Sequence, residues 1–119
     1  MLKKIYSAKV QDLSDKLYQQ MLPLNSGDVG VMLHRLKHRY PNDTVHYIMD
    51  NRKVVSVALI SIRSGLPKRN IVNVYTHPKH RNKRYGSRLL EYVNKHYHNV
   101  YGYTWLSTVF RPFNFKSMF

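Results

Sequence analysis

The pattern of apolar and polar residues changes period several times along the chain, and each change marks an element. Residues 3–10, with Ile5, Tyr6 and Val10, read as a short first strand of weak alternation. Asp12 then predicts a helix cap, with Asp15 three residues on as a partial capping box. Leu13, Leu17 and Met21 recur at four-residue spacing until Pro23 stops that helix. Ser26-Gly27-Asp28 opens a second helix whose Val29, Met32, Leu33, Leu36 and Tyr40 make one apolar stripe, ended by Pro41.

The period then shortens. Residues 44–49 and 53–62 are rich in Val, Ile and Tyr, and the polar Asp50-Asn51-Arg52 between them is a three-residue hairpin connection. Residues 54–62 are almost continuously apolar, which predicts a strand covered on both faces. Ser64-Gly65-Leu66-Pro67 reads as a loop, 70–76 as another strand, and 84–97 as a helix with Leu89, Leu90, Val93 and Tyr97 on one side. An apolar run over 100–110, interrupted by Gly102, predicts a fifth strand that Pro112 breaks, leaving a tail over 114–119. A helical crossover between two parallel strands sets the fourth strand beside the fifth. The expected architecture is α/β, a mixed central sheet of about five strands with helices on both faces, in a single domain over residues 1–119.

Length and composition narrow the chemistry. A chain of 119 residues with 43% hydrophobic content supports one core. With no cysteine, disulfides, zinc thiolates, iron-sulfur clusters and thiol nucleophiles are excluded. The start Met1-Leu2-Lys3-Lys4 has no apolar leader and no run approaches a membrane span, so the expectation is a cytoplasmic protein without membrane insertion. Twenty Lys and Arg against six acids give a formal charge of +14. None of the acids falls between Asp50 and Glu91, and none after Glu91. Such a field favours anionic partners, whether CoA, nucleic acid or an acidic protein, and repels polyamines and Lys-rich tails.

The stretch from Thr76 to Ser87, Thr-His-Pro-Lys-His-Arg-Asn-Lys-Arg-Tyr-Gly-Ser, follows an apolar strand and opens an amphipathic helix, with five cations between Lys79 and Arg88. Unpaired N–H groups and the macrodipole at such a helix start make an anion cradle. The residues resemble the acyl-CoA pyrophosphate loop of the GNAT N-acetyltransferase superfamily, Arg/Gln-x-x-Gly-x-Gly/Ala preceded by Val-x-Pro. Arg81 fills the first position and Gly86 the last, and Thr76-His77-Pro78 stands where Val-x-Pro is expected. Arg84 replaces the first glycine. The element order resembles the GNAT fold over nearly the whole chain, apart from the family's last helix and final strands; Asn114 could match an Asn of that region, but the chain reaches Phe119 before the Tyr that serves as general acid in the family.

The resemblance implies acetyl transfer from acetyl-CoA to a primary amine, a chemistry that needs a base, donors to polarise the thioester carbonyl, and an acid for the leaving thiolate. It places the cofactor between the fourth and fifth strands. The cofactor-binding residues would be Arg81, Asn82, Lys83, Arg84, Tyr85, Gly86 and Ser87 at the pyrophosphate, with an amide near Tyr75 or Thr76 at the carbonyl. The strand-borne Glu base of the family has no counterpart here. Water, a His such as His77 or His46, or part of the substrate would then take the proton, and Tyr103 or Tyr101 would act as acid. The charge points to an acceptor amine on or near an anionic macromolecule. An open edge at the fifth strand would allow a homodimer.

Other features carry less. His34 and His38 stand at i, i+4, a metal-chelating spacing without a third ligand nearby, and Ser87 and Ser107 have no elbow motif, so no metal is expected. Two alternatives to an enzyme remain open at this stage. One is a binding module gripping a phosphate backbone through Lys79, Arg81, Lys83, Arg84 and Arg88, with Tyr97, Tyr101, Tyr103, Trp105 and Phe110 stacking on bases. The other is an inhibitor that docks on an acidic protein surface.

Overall fold

The computed structural model describes residues 3–63, 69–97, 100–102 and 116–117. The strands β1 (Ile5–Lys9), β2 (Thr44–Asp50), β3 (Lys53–Arg63), β4 (Arg69–Thr76), β5 (Val100–Gly102) and β6 (Lys116–Ser117) lie in chain order in one sheet. β1 to β4 pair antiparallel, whereas β4–β5 and β5–β6 pair parallel. The described helices are α1 (Asp15–Met21), α2 (Asp28–Arg39) and α3 (Tyr85–His96).

The continuous apolar run of β3 has the expected cause, because the sheet is covered on both faces. Val54, Val57 and Leu59 pack with Met21 of α1 and Val29, Leu33 and Leu36 of α2. Val55, Ala58 and Ile60 pack on the opposite side with Tyr85, Leu89, Leu90 and Val93 of α3. In the α2 stripe Val29, Leu33 and Leu36 are fully buried, while Tyr40 caps the C-terminus on the surface.

Local chemistry moves several boundaries. The cap of α1 is Ser14, whose hydroxyl accepts the Leu17 N–H at 3.2 Å; Asp12 falls instead in a 3-10 turn over Val10–Asp12. The β2–β3 connection has two residues, since Asp50 pairs with Lys53. Asn51 (φ 53°) and Arg52 (φ 66°) both take the left-handed conformation, as in the primed turns whose twist suits a hairpin. Ile48 pairs with Ser56 and Met49 with Val54, so Val55 bulges from β3 toward the α3 side. Of the expected strand over 100–110, residues 103–110 lie outside the described ones, as does the loop at 64–67. The tail carries β6, which covers the edge of β5 on which pairing with a second copy was expected.

Candidate functional site

β4 delivers the chain to the start of α3 through a short 3-10 helix, Pro78–Lys83. Its entry is tied to the bulge: the His77 N–H donates to the Val55 carbonyl at 2.8 Å. His77 is the cap, its Nδ1 accepting the Lys79 N–H at 3.1 Å. The Nδ1 lone pair is therefore engaged by the cap. Thr76, last in β4, shares a 2.8 Å hydrogen bond with the Ser56 hydroxyl, which also lies 3.2 Å from the Tyr75 carbonyl. Tyr75 is half-buried against the α1–α2 layer.

Arg84 then turns the chain with φ 62° and ψ 21°, and α3 begins at Tyr85. A glycine is the usual residue for that conformation, so the family's glycine at this place and the backbone found here agree. Arginine has no acceptor to offer, so no side chain caps the first turn of α3 at Arg84. The exposed Arg81 leans back, its Nε donating to the Thr76 carbonyl at 3.3 Å. The backbone of Asn82 lies in the 3-10 helix. The structure thus brings residues 75–87 of the expected cofactor set into one strand-turn-helix unit.

A carboxylate that sequence reasoning left out organises the charge there. Asp50, at the end of β2, lies 3.2 Å from Lys3 Nζ, 3.7 Å from Lys83 Nζ and 3.7 Å from His80 Nδ1. It also accepts a long hydrogen bond from the Tyr85 hydroxyl at 3.5 Å. The hydrogen bond from Lys3, with the charges of Lys3, Lys83 and His80, holds its carboxyl below the usual carboxylate range. Burial and the neighbouring Lys83 ammonium lower the His80 pKa against the opposing pull of Asp50. Arg88 of α3 donates to the Lys3 carbonyl, fastening the N-terminal segment to the same corner.

The other proposed base is elsewhere. His46, 4% exposed on β2, lies on the α3 side of the sheet with Nδ1 2.6 Å from the Ser7 hydroxyl and Nε2 2.7 Å from the Tyr97 hydroxyl. Burial, and secondarily the charge of His96, push its pKa from 6.5 down to about 4. β3 lies between its strand and β4, and its contacts are with Ser7, Tyr92 and Tyr97, none of them in the 75–87 unit. The rings of His34 and His38 touch, with centroids 4.4 Å apart, and no group of three potential metal ligands occurs among the described residues. Tyr103 lies outside those residues, and Tyr101 is described only as a strand residue paired with Ile71.

The family model of the GNAT acetyltransferase family matches residues 7–118. No curated protein matches the chain. Solved structures of similar fold include the Bacillus subtilis N-acetyltransferase YlbP in complex with coenzyme A, 13% identical, TM-score 0.65, covering 95% of this chain and 84% of that one. Glucosamine-6-phosphate N-acetyltransferase from Arabidopsis thaliana is 12% identical, TM-score 0.60, covering 96% and 91%. An aminoglycoside 6′-N-acetyltransferase from Acinetobacter haemolyticus is 14% identical, TM-score 0.58, covering 92% and 84%.

Proposed function

The chain belongs to the GNAT acetyltransferase family, and we propose that it transfers acetyl from acetyl-CoA to a primary amine of a macromolecular acceptor associated with nucleic acid or with an acidic protein surface. The observation that carries the cofactor part is the start of α3. There a residue held at positive φ opens a helix whose first-turn amides have no side-chain cap, after the 3-10 turn that follows β4 and among Lys83, Arg84 and Arg88. That arrangement receives pyrophosphate with backbone donors and compensates its charge. The coenzyme A complex of the structural relative from Bacillus subtilis supports the same ligand class. The net charge of +14 supports an acceptor that is, or rides on, a polyanion.

In this reading the amine nitrogen attacks the thioester carbon, the C–S bond breaks, the CoA sulfur takes up a proton and the new amide nitrogen loses one. The amides near Tyr75 and Thr76 polarise the carbonyl. β3 and β4 carry no Asp or Glu, and the Asp50 carboxylate is committed to Lys3 and Lys83. The amine therefore arrives neutral or loses its proton to water, and the rate rises with pH through the acceptor's own pKa, near 8 for an α-amine and about 10.4 for a lysine. Tyr103 remains the proposed acid.

The occupied Nδ1 of His77 and the remote His46 favour one second reading, a member of the fold that binds a polyanion without turning over. Calorimetric titration with acetyl-CoA separates the two. Binding that weakens with salt, disappears in Gly86→Trp and is accompanied by thiol release with an amine acceptor is expected for the enzyme. No heat at millimolar acetyl-CoA removes that reading.

A further inference from the structure

A second cationic feature lies around the corner from α3, on the α1 side of the sheet. The start of β1, α1 and the β2–β3 turn border an open cavity of about 540 Å³. Lys3, Lys4, Lys16 and Arg52 line it, together with Tyr6 and Gln20, and no acidic side chain lies on its wall. Asp50 is bound to Lys3 and faces Lys83 and His80. Lys16 and Arg52 have no acidic partner among the described residues.

Two features fix the shape of this recess, whose four cations are solvent-exposed. Gln20 of α1 accepts the Val54 N–H at 2.9 Å and donates to the Arg52 carbonyl at 3.3 Å, so the turn bearing one cation is fastened to the helix bearing another. Arg52 also holds φ 66° at the second turn position, where glycine is the favoured residue. An arginine kept there against its conformational preference points to use of its side chain. Arg84 shows the same substitution of a cation for glycine at the other anion-binding corner.

We propose that this cavity is a phosphate-binding site, distinct from the cofactor loop, that holds a phosphate ester of the ligand with Lys4, Lys16 and Arg52 as its donors. β1 and β4 are three strand spacings apart, roughly 14 Å, so a ligand held here reaches the cofactor region only if it is extended. The site stands whether or not the protein acetylates anything.

The test uses the whole chain and the pair Lys16→Gln with Arg52→Gly. The glycine relaxes the turn, so loss of fold does not obscure the result; Arg35→Gln with Lys95→Gln, exposed on α2 and α3, repeats the charge change elsewhere. Inorganic phosphate and ribose 5-phosphate are titrated by amide chemical shift, and a fluorescein-labelled oligouridylate by anisotropy. Phosphate should shift the amides of Lys16, Gln20 and Arg52 in the wild type and not in the first pair, while acetyl-CoA titrates both alike. If nucleic acid is the source of the phosphate, the first pair loses at least tenfold in oligouridylate affinity and its salt slope falls by about 1.4, against less than threefold for the second pair. If only ribose 5-phosphate shifts these amides, the ligand is a small phosphate ester. Absence of shifts, or equal losses in both pairs, overturns the site, and so does loss of acetyl-CoA binding in the first pair.

Discussion

Arg84 shows how much one backbone angle decides. Its φ of 62° is available to any residue but costs a non-glycine roughly 1–2 kcal/mol, and that strain is stored where the chain turns into α3. Arg84→Gly should raise stability by about 1 kcal/mol after the added freedom of the unfolded chain is subtracted, visible as a higher urea midpoint at unchanged m. If the guanidinium also reaches the cofactor phosphates, acetyl-CoA affinity falls in the same variant. Arg84→Ala keeps the strain and removes the charge, so it should lose affinity with no gain in the midpoint. A midpoint unchanged in Arg84→Gly would show that the left-handed geometry is not strained.

At the scale of elements, the sheet and α1 are joined by polar contacts as well as by the core. The side chain of Gln20 bonds both the β3 amide of Val54 and the carbonyl of Arg52, and thereby holds the hairpin against the helix. Gln20→Ala should cost about 1–2 kcal/mol, because it deletes two hydrogen bonds and leaves a partly buried amide without its acceptor. Hydrogen exchange at Val54 reports this directly. Protection there should drop before protection at Leu59 or Val72 in the strand centres. Undiminished protection at Val54 would mean that the ladder alone holds the turn.

For the whole molecule, pH acts through His46. Its folded-state pKa of about 4 lies below the 6.5 expected when unfolded, so the unfolded chain binds a proton that the folded one refuses. The contribution is complete above pH 6.5 and is lost as the pH falls toward 4. Stability should decline by about 2 kcal/mol between pH 7 and pH 5, a window in which the lowered Asp50 pKa adds little. Denaturant titrations at the two pH values check this, and His46→Gln should flatten most of the difference. Equal declines in the two proteins would assign the pH effect to other groups.

Periodicity alone determined a large part of this protein. The 3.6-residue spacing of Val29, Leu33 and Leu36, the double-faced apolar run of β3 and the strand-to-helix passage at residues 76–85 are local consequences of burying apolar side chains, and they are readable wherever one face must leave water. The resemblance of residues 81–86 to a phosphate loop is equally local. Other features depended on residues far apart in the chain. Asp50 reads as a turn residue until β2 brings it within reach of Lys3, Lys83 and His80. His46 reads as a base until Ser7, Tyr97 and the α3 layer bury it. The two-residue turn and the Val55 bulge follow from strand register, and the cavity between Lys16 and Arg52 exists only because Gln20 joins two elements. Charge and hydrogen-bond partners act through space, and a partner more than thirty residues away leaves no periodic trace; only the folded chain decides which of these groups meet.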